Sequence, residues 1–449
     1  MRRFAIIADD FTGANDTGIQ FAKHGISTVA ILNSDEAELE CFEDAEVVVM
    51  NTETRNAHGL EVYQKVQRAA KSLLSMGFPF IYKKIDSTMR GNPGLELLAV
   101  MRALNVPLGV LTPVFPANSR MVAGGFLFIQ EGPLRQRYSQ GLNIVQLVRE
   151  QVECRVQRLT LEEIRKGVEA VKHCFLEQIA TREECIIIAD AVGQEDLSTI
   201  AQAAQELLSQ LILAGSGGLA EELLAFPGFK TGRASVASAE DRLLLVIGSY
   251  NPVTAKQVAW LRGQERVVIL AADIAKLVSV QGETEIARVV TLAQQALATG
   301  NHTAIVLNSL PEAKKINVAE GVSTTTSISS AAGQAAGDNQ SEALESANPR
   351  AKHLILQALA QITAEVLSGT PVGALLLSGG DTAAFVCAAL GFKGIKLEDE
   401  IIPGIPIGRL IGNSLDGMVA VTKSGSFGPE DALGKVLQYL ERRGDARGE

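Results

Sequence analysis

Short, wholly apolar runs alternate with helix-spaced segments along most of the chain. Residues 4–8, 47–50, 109–111, 185–189, 211–214 and 243–247 carry no polar side chain at either alternate position. A strand that is apolar on both faces is buried on both faces, the habit of parallel sheets covered by helices. The alternation therefore predicts an α/β fold, and 449 residues suffice for two or three domains of ordinary size. The pattern weakens between residues 229 and 241, where Gly232, Ala234, Ser235, Ala237 and Ser238 dilute it before the run at 243–247 opens a new strand. This predicts a first domain over 1–230, a linker over 231–242 and a second domain over 243–449. The stretch at about 320–350 is rich in Ser, Thr, Ala, Gly and Gln, with too few large side chains to offset the entropy of ordering it. It reads as a mobile insertion in the second domain.

Chemistry-bearing residues gather where the strands end. The first run stops on Asp9 and Asp10, followed by Phe11, Thr12 and Gly13. In an open α/β sheet the ligand crevice lies outside the carboxyl ends of the strands. Asp is also a preferred helix N-cap, so either acid, or Thr12, would serve simply to start the helix that runs through Ile19, Phe21 and Ala22 to Gly25. A second polar loop follows Phe78, Pro79, Phe80 and Ile81 and holds Lys84, Ile85, Asp86, Ser87 and Arg90. Cations, a carboxylate and a hydroxyl so close together suit a small polyhydroxy acid, with a plain solvated loop as the alternative.

A third set lies near the C-terminus. The run at 374–377 ends on Ser378, Gly379, Gly380, Asp381 and Thr382, a Pro-Gly stretch holds Gly404, and the run at 419–422 ends on Lys423, Ser424 and Gly425. A strand, paired glycines and a helix start offer free N–H groups and a positive dipole end to a phosphate. Glycines that only make the turns are the plainer reading.

Composition narrows the class. Hydrophobic residues make up 47% of the chain, yet no apolar run approaches the ~18 residues of a membrane span. Met1, Arg2 and Arg3 lead straight into a strand without a secretory segment, so the expected location is cytoplasmic. A net charge of −10 argues against nucleic-acid and membrane partners. Cys41, Cys154, Cys174, Cys185 and Cys387 have no pairable spacing and are expected to be reduced, and the five scattered histidines suggest neither a zinc site nor a Ser-His triad. A Walker P-loop is absent. Gly215, Gly217 and Ala220 do match G-x-G-x-x-A and keep an NAD-dependent oxidoreductase as an alternative, although the acidic residue expected some twenty positions on is missing. A non-catalytic two-domain acid-binding protein is the other alternative.

Five segments, in order, resemble the four-carbon acid sugar kinase family: Ala8 to Ala14, Lys84 to Gly91, Pro113 to Arg120, Ser378 to Ala383, and Thr422 to Gly428. The resemblance covers nearly the whole chain. It implies two α/β domains, each with a mainly parallel sheet flanked by helices and with a ligand cleft between them. It implies an ATP-dependent phosphotransferase whose N-terminal half takes the sugar acid and whose C-terminal half takes ATP with Mg²⁺. Asp9, Asp10, Arg55, Lys84, Ile85, Asp86, Ser87 and Arg90 would then meet the acid, with Arg55 and Lys84 nearest its carboxylate. Ser249, Ser378, Gly379, Gly380, Asp381, Thr382, Gly404, Lys423 and Gly425 would meet ATP. Asp10 and Asp86 are the candidate catalytic bases, no residue is assigned as a metal ligand, and a homo-oligomer is left open. After Gly132 the chain is shorter than the family's usual segment, which bears on the acid preferred.

Overall fold

The computed structural model describes residues 3–32, 42, 44–130, 135, 138–226, 228–229, 232, 242–308 and 349–445. It divides into two units, Met1–Ser235 with Lys393–Asp399, and Val236–Phe392 with Glu400–Glu449. The insertion expected at 320–350, nearly all of the linker expected at 231–242, and most of the short segment after Gly132 lie outside the described residues. Nothing in the hydrophobic pattern marked the return of residues 393–399 to the first unit.

The first unit is built on a parallel sheet of β1 (Phe4–Ala8), β2 (Thr28–Ile31), β3 (Val47–Asn51), β4 (Phe80–Lys84), β5 (Leu108–Thr112), β9 (Arg155–Leu159), β10 (Cys185–Ala189) and β11 (Leu211–Gly215). Their order is β2-β3-β1-β4-β11-β5-β10-β9, and Gly394–Leu397, the first part of β16 (Gly394–Ile402), add an antiparallel edge to β2. An antiparallel sheet of β6 (Arg120–Ala123), β7 (Phe126–Ile129) and β8 (Leu142–Asn143) accompanies it. Every residue of β1, β5, β10 and β11 is buried, as their two-faced apolar character demands. The register sets Ala8 opposite both Asn51 and Lys84, so the segments leaving β1, β3 and β4 emerge side by side.

One local expectation is corrected here. Lys83 and Lys84 read as loop but are the last two residues of β4. Pairing with β1 and β11 on either side carries the strand through both lysines. Their cost of burial is met by specific partners: Lys83 Nζ lies 2.6 Å from Glu96 Oε2 and donates to the carbonyls of Ile7 and Lys84, and Lys84 Nζ donates to the carbonyl of Ile85.

In the second unit, β13 (Val267–Ala272), β14 (His302–Leu307), β12 (Leu243–Ile247), β15 (Ala374–Ser378) and β18 (Val419–Lys423) are parallel in that order, and β17 (Ile405–Ile411) runs antiparallel beside β18. Leu245, Ile247, Leu376, Val421, Leu433 and Val436 form the centre of its core. Ile247 pairs with Ser378 and Ser378 with Lys423, so the three glycine-bearing strand ends lie side by side.

Candidate functional site

At the carboxyl end of β1, Asp9 and Asp10 share one guanidinium. Arg55 donates Nε to Asp9 Oδ2 and Nη2 to Asp9 Oδ1, both at 2.9 Å, and grips Asp10 with Nη1 and with Nη2, the latter at 2.9 Å. Asp10 is also the N-cap of the helix Phe11–Ala22, its Oδ1 accepting from Gly13 N at 2.8 Å. Capping and site chemistry, alternatives in the sequence, coexist on one carboxylate. Glycine is needed at position 13 because a Cβ there would lie 2.5 Å from Asp10 Oδ1 and 3.2 Å from Lys84 Nζ.

Asp86 is held by its own loop. Arg90 donates Nε at 3.0 Å and Nη2 at 3.2 Å, Thr88 bonds the same carboxylate through its amide and hydroxyl, and Arg55 Nη2 stands 3.9 Å away. Gly91, at φ +82°, lets this loop lie against the backbone of Arg55, where a Cβ would come within 3.1 Å of the Arg55 carbonyl. Ile85 is buried, Ser87 half-buried and Arg90 exposed. Asp9, Asp10, Arg55, Lys84, Asp86 and Arg90 thus form one cluster.

The electrostatics divide the three acids. Burial pushes Asp9 up, but Arg55, Lys83 and Lys84 outweigh it and hold its pKa below the ordinary value. Burial, helped by the neighbouring Asp9 charge, prevails at Asp10 over Arg55 and Lys84, and its pKa is raised. Burial also acts on Asp86, yet Arg55, Arg90 and Thr88 hold it far below the usual carboxylate range. Arg55 is thus already engaged by Asp9 and Asp10, with Asp86 3.9 Å away. Two further features lay outside the sequence-based set. The buried Lys83–Glu96 pair backs Asp9, and Arg120, at the start of β6, faces Asp86 and Arg90 electrostatically. Arg120 closes the segment Pro113 to Arg120, but nothing in its spacing tied it to a loop thirty residues earlier.

In the second unit the glycines at the strand ends pack closely against neighbouring side chains. Gly379, at φ +110°, ends β15 and starts the helix Gly380–Ala389, where Thr382 Oγ1 would stand 2.2 Å from a Cβ on Gly248 and 3.1 Å from one on Gly379. A Cβ on Gly425 would meet Ser249 Oγ at 2.1 Å. The loop after β18 is pinned by Thr254 Oγ1, which donates to the Gly425 carbonyl at 2.7 Å, and by Gln257 Nε2, which donates to the carbonyls of Phe427, Gly428 and Pro429. Gly404, at φ +80°, sits under the Phe427 ring, Asp381 pairs with Lys352 at 2.5 Å, and the buried Ser378 hydroxyl has no hydrogen-bond partner among the described residues. Lys423 is 1% exposed, donates only to the Ser424 carbonyl at 2.6 Å and meets no carboxylate among the described residues. Burial lowers its pKa to about 8.

The glycines that suggested a dinucleotide site are filled by the protein itself. A Cβ on Gly215 would lie 2.6 Å from the Tyr82 hydroxyl, and one on Gly218 would lie 2.8 Å from the Val114 carbonyl. They serve packing of the short helix Gly217–Glu222. Among the described residues no group of three or more His, Cys, Asp or Glu could hold a metal, and no helix is long and apolar enough to cross a membrane.

Comparison with known proteins matches the same two halves. A family model described as a sugar-binding N-terminal domain fits residues 4–223, and one described as a nucleotide-binding C-terminal domain fits residues 244–433. A D-threonate kinase of Salmonella typhimurium is 32% identical over 98% of this chain and 98% of its own length. A D-erythronate kinase of Heliobacterium modesticaldum is 30% identical over 98% of this chain and 97% of its own. A 3-oxo-tetronate kinase of Pseudomonas savastanoi pv. phaseolicola is 27% identical over 97% of this chain and 96% of its own. Crystal structures of proteins from Salmonella typhimurium LT2 and Haemophilus influenzae share the fold, with TM-scores of 0.73 and 0.69, identities of 22% and 23%, 97% of this chain covered in both, and 99% and 100% of those chains.

Proposed function

Because the chain belongs to the four-carbon acid sugar kinase family, we propose that it transfers the γ-phosphoryl group of ATP to a hydroxyl of a four-carbon sugar acid, the first unit taking the acid and the second the nucleotide. One observation carries the nucleotide assignment. Lys423 is a buried cation with no carboxylate among the described residues, at the end of β18 where the ends of β12 and β15 lie alongside. A charge buried without a counter-ion calls for an anionic ligand, and the triphosphate is one.

The chemistry asks the protein mainly to position groups and to neutralise charge. The acid's hydroxyl oxygen forms the new bond to phosphorus as the bond to the β–γ bridging oxygen breaks and ADP leaves. Asp10 is the base that receives the hydroxyl proton. Its pKa is raised and its side chain is 22% exposed, whereas Asp86 is 11% exposed and saturated by Thr88 and Arg90. The described residues, which hold no group of three or more potential metal ligands, fit a Mg²⁺ ion borne by the triphosphate better than one caged by protein side chains. When bound, that ion supplies charge neutralisation on the phosphates. Such chemistry on a small metabolite fits a cytoplasmic protein.

Calorimetric titration with ATP and with D-threonate, on wild type and on Gly425→Val, tests the division of labour. The variant is expected to lose ATP and keep the acid. Loss of acid binding with ATP affinity intact would reverse the assignment of the two units.

A further inference from the structure

Four cations, Arg55, Lys84, Arg90 and Arg120, stand around three carboxylates, Asp9, Asp10 and Asp86, while Lys83 and Glu96 cancel one another. The cluster therefore carries one surplus positive charge. Arg55 and Arg90 are tied to acids within ion-pair distance. Arg120 differs from both: among the described residues it makes no ion pair, its Nη1 donates only to the Asn118 carbonyl, and its buried Nε has no hydrogen-bond partner. A guanidinium has no way to shed its charge at neutral pH, so leaving it half-satisfied costs free energy that a bound anion would return.

Its placement is specified rather than incidental. Arg120 exchanges main-chain hydrogen bonds with Phe115, and the far end of its hairpin is anchored where the amides of Gly124 and Gly125 each donate to the buried Asp190 at 2.9 Å. Tyr138 donates to the Thr88 carbonyl at 3.1 Å and so holds the Asp86 loop close to the residues that neighbour Arg120.

Resting on the kinase reading above, we infer that Arg120 is a further substrate-binding residue, which takes the carboxylate of the sugar acid and makes the site choose acids over uncharged polyols. Arg55, the cation nearest at hand in the sequence, instead organises the protein's own carboxylates.

The test is calorimetric titration of the full chain with D-threonate, with the uncharged four-carbon polyol D-threitol, and with ATP, for wild type, Arg120→Gln and Arg120→Lys. Arg120→Gln is expected to weaken D-threonate at least tenfold, to leave threitol and ATP within about twofold, and so to shrink the preference for acid by the same tenfold or more. Arg120→Lys, which keeps the charge but loses the fork, should recover part of the preference. An unchanged preference in Arg120→Gln, while wild type still turns over a four-carbon acid, would overturn the role of Arg120 alone. Loss of ATP binding in both variants would overturn it in favour of a structural role. A wild-type protein that releases ADP with no four-carbon acid would overturn the kinase reading and this inference with it.

Discussion

Replacing Arg55 with alanine removes the shared counter-ion of two adjacent carboxylates, with a third 3.9 Å away. Asp9 sets the size of the effect: its side chain is 3% exposed, and Lys83, the next cation, is already held by Glu96 at 2.6 Å. Breaking a buried ion pair by deleting one partner costs about 3–5 kcal/mol, because the charge left behind can neither pair nor hydrate. For a domain of roughly 150–250 residues that corresponds to a fall in Tm of roughly 6–20 °C. The pH dependence gives a second handle. In wild type the folded pKa of Asp9 lies below its ordinary 3.8, so its stabilising contribution is present above that value and lost as pH falls through the folded pKa. In Arg55→Ala burial acts with less opposition and raises the folded pKa, so the folded variant takes up a proton that the unfolded chain does not hold. Its deficit should therefore narrow as pH falls from about 7 to about 5. Urea unfolding followed by circular dichroism at both pH values measures this. A midpoint equal to wild type at neutral pH, or a deficit that widens in acid, would refute the reasoning and return Arg55 to the role of a free substrate ligand.

Three further outcomes follow from the same geometry. Gly13→Ala puts a Cβ 2.5 Å from Asp10 Oδ1 and 3.2 Å from Lys84 Nζ; it should weaken D-threonate at least tenfold, about 1.4 kcal/mol, with ATP affinity unchanged in calorimetry. Lys423, with its pKa lowered to about 8, should give wild type an ATP affinity that falls as pH rises from about 7 to about 9, with proton uptake on binding. Lys423→Met should bind ATP at least tenfold more weakly and show no such pH slope, and a slope surviving in that variant would assign the titration elsewhere. Asp10→Asn should lower kcat by about 10²–10⁴ with little change in KM, whereas Asp86→Asn should act chiefly on KM by loosening the Arg90 loop; steady-state kinetics showing the opposite split would exchange their roles.

Much of this site is legible in the sequence because parallel sheets put their chemistry at strand ends. Asp9, Asp10, Ser378 and Lys423 each end or follow an apolar run, and register alone then brings the three segments of each unit together. What escapes is whatever depends on partners distant in the chain. Lys83 and Lys84 look solvent-seeking until Glu96, on a helix, is known to cover one of them. The sequence gives no sign that Arg55 turns back onto Asp9 and Asp10, 46 and 45 residues away. Residues 393–399 cross to the first unit because Gly394–Leu397 complete the edge of β2, a pairing that no local periodicity encodes. The glycines at 215, 217 and 218 misdirect for the same reason: their small size answers to Tyr82, Phe115 and Val114, not to a cofactor.

The central claim, phosphoryl transfer from ATP to a four-carbon sugar acid, is tested most directly by coupled detection of ADP release with D-threonate, D-erythronate and 3-oxo-tetronate in turn, in the presence of Mg²⁺ and ATP, with the product weighed by mass spectrometry. At least one acid is predicted to release ADP well above the acid-free rate and to gain the mass of one phosphoryl group in equal amount. Flat traces with every acid, from protein that unfolds cooperatively and binds ATP, would contradict the account.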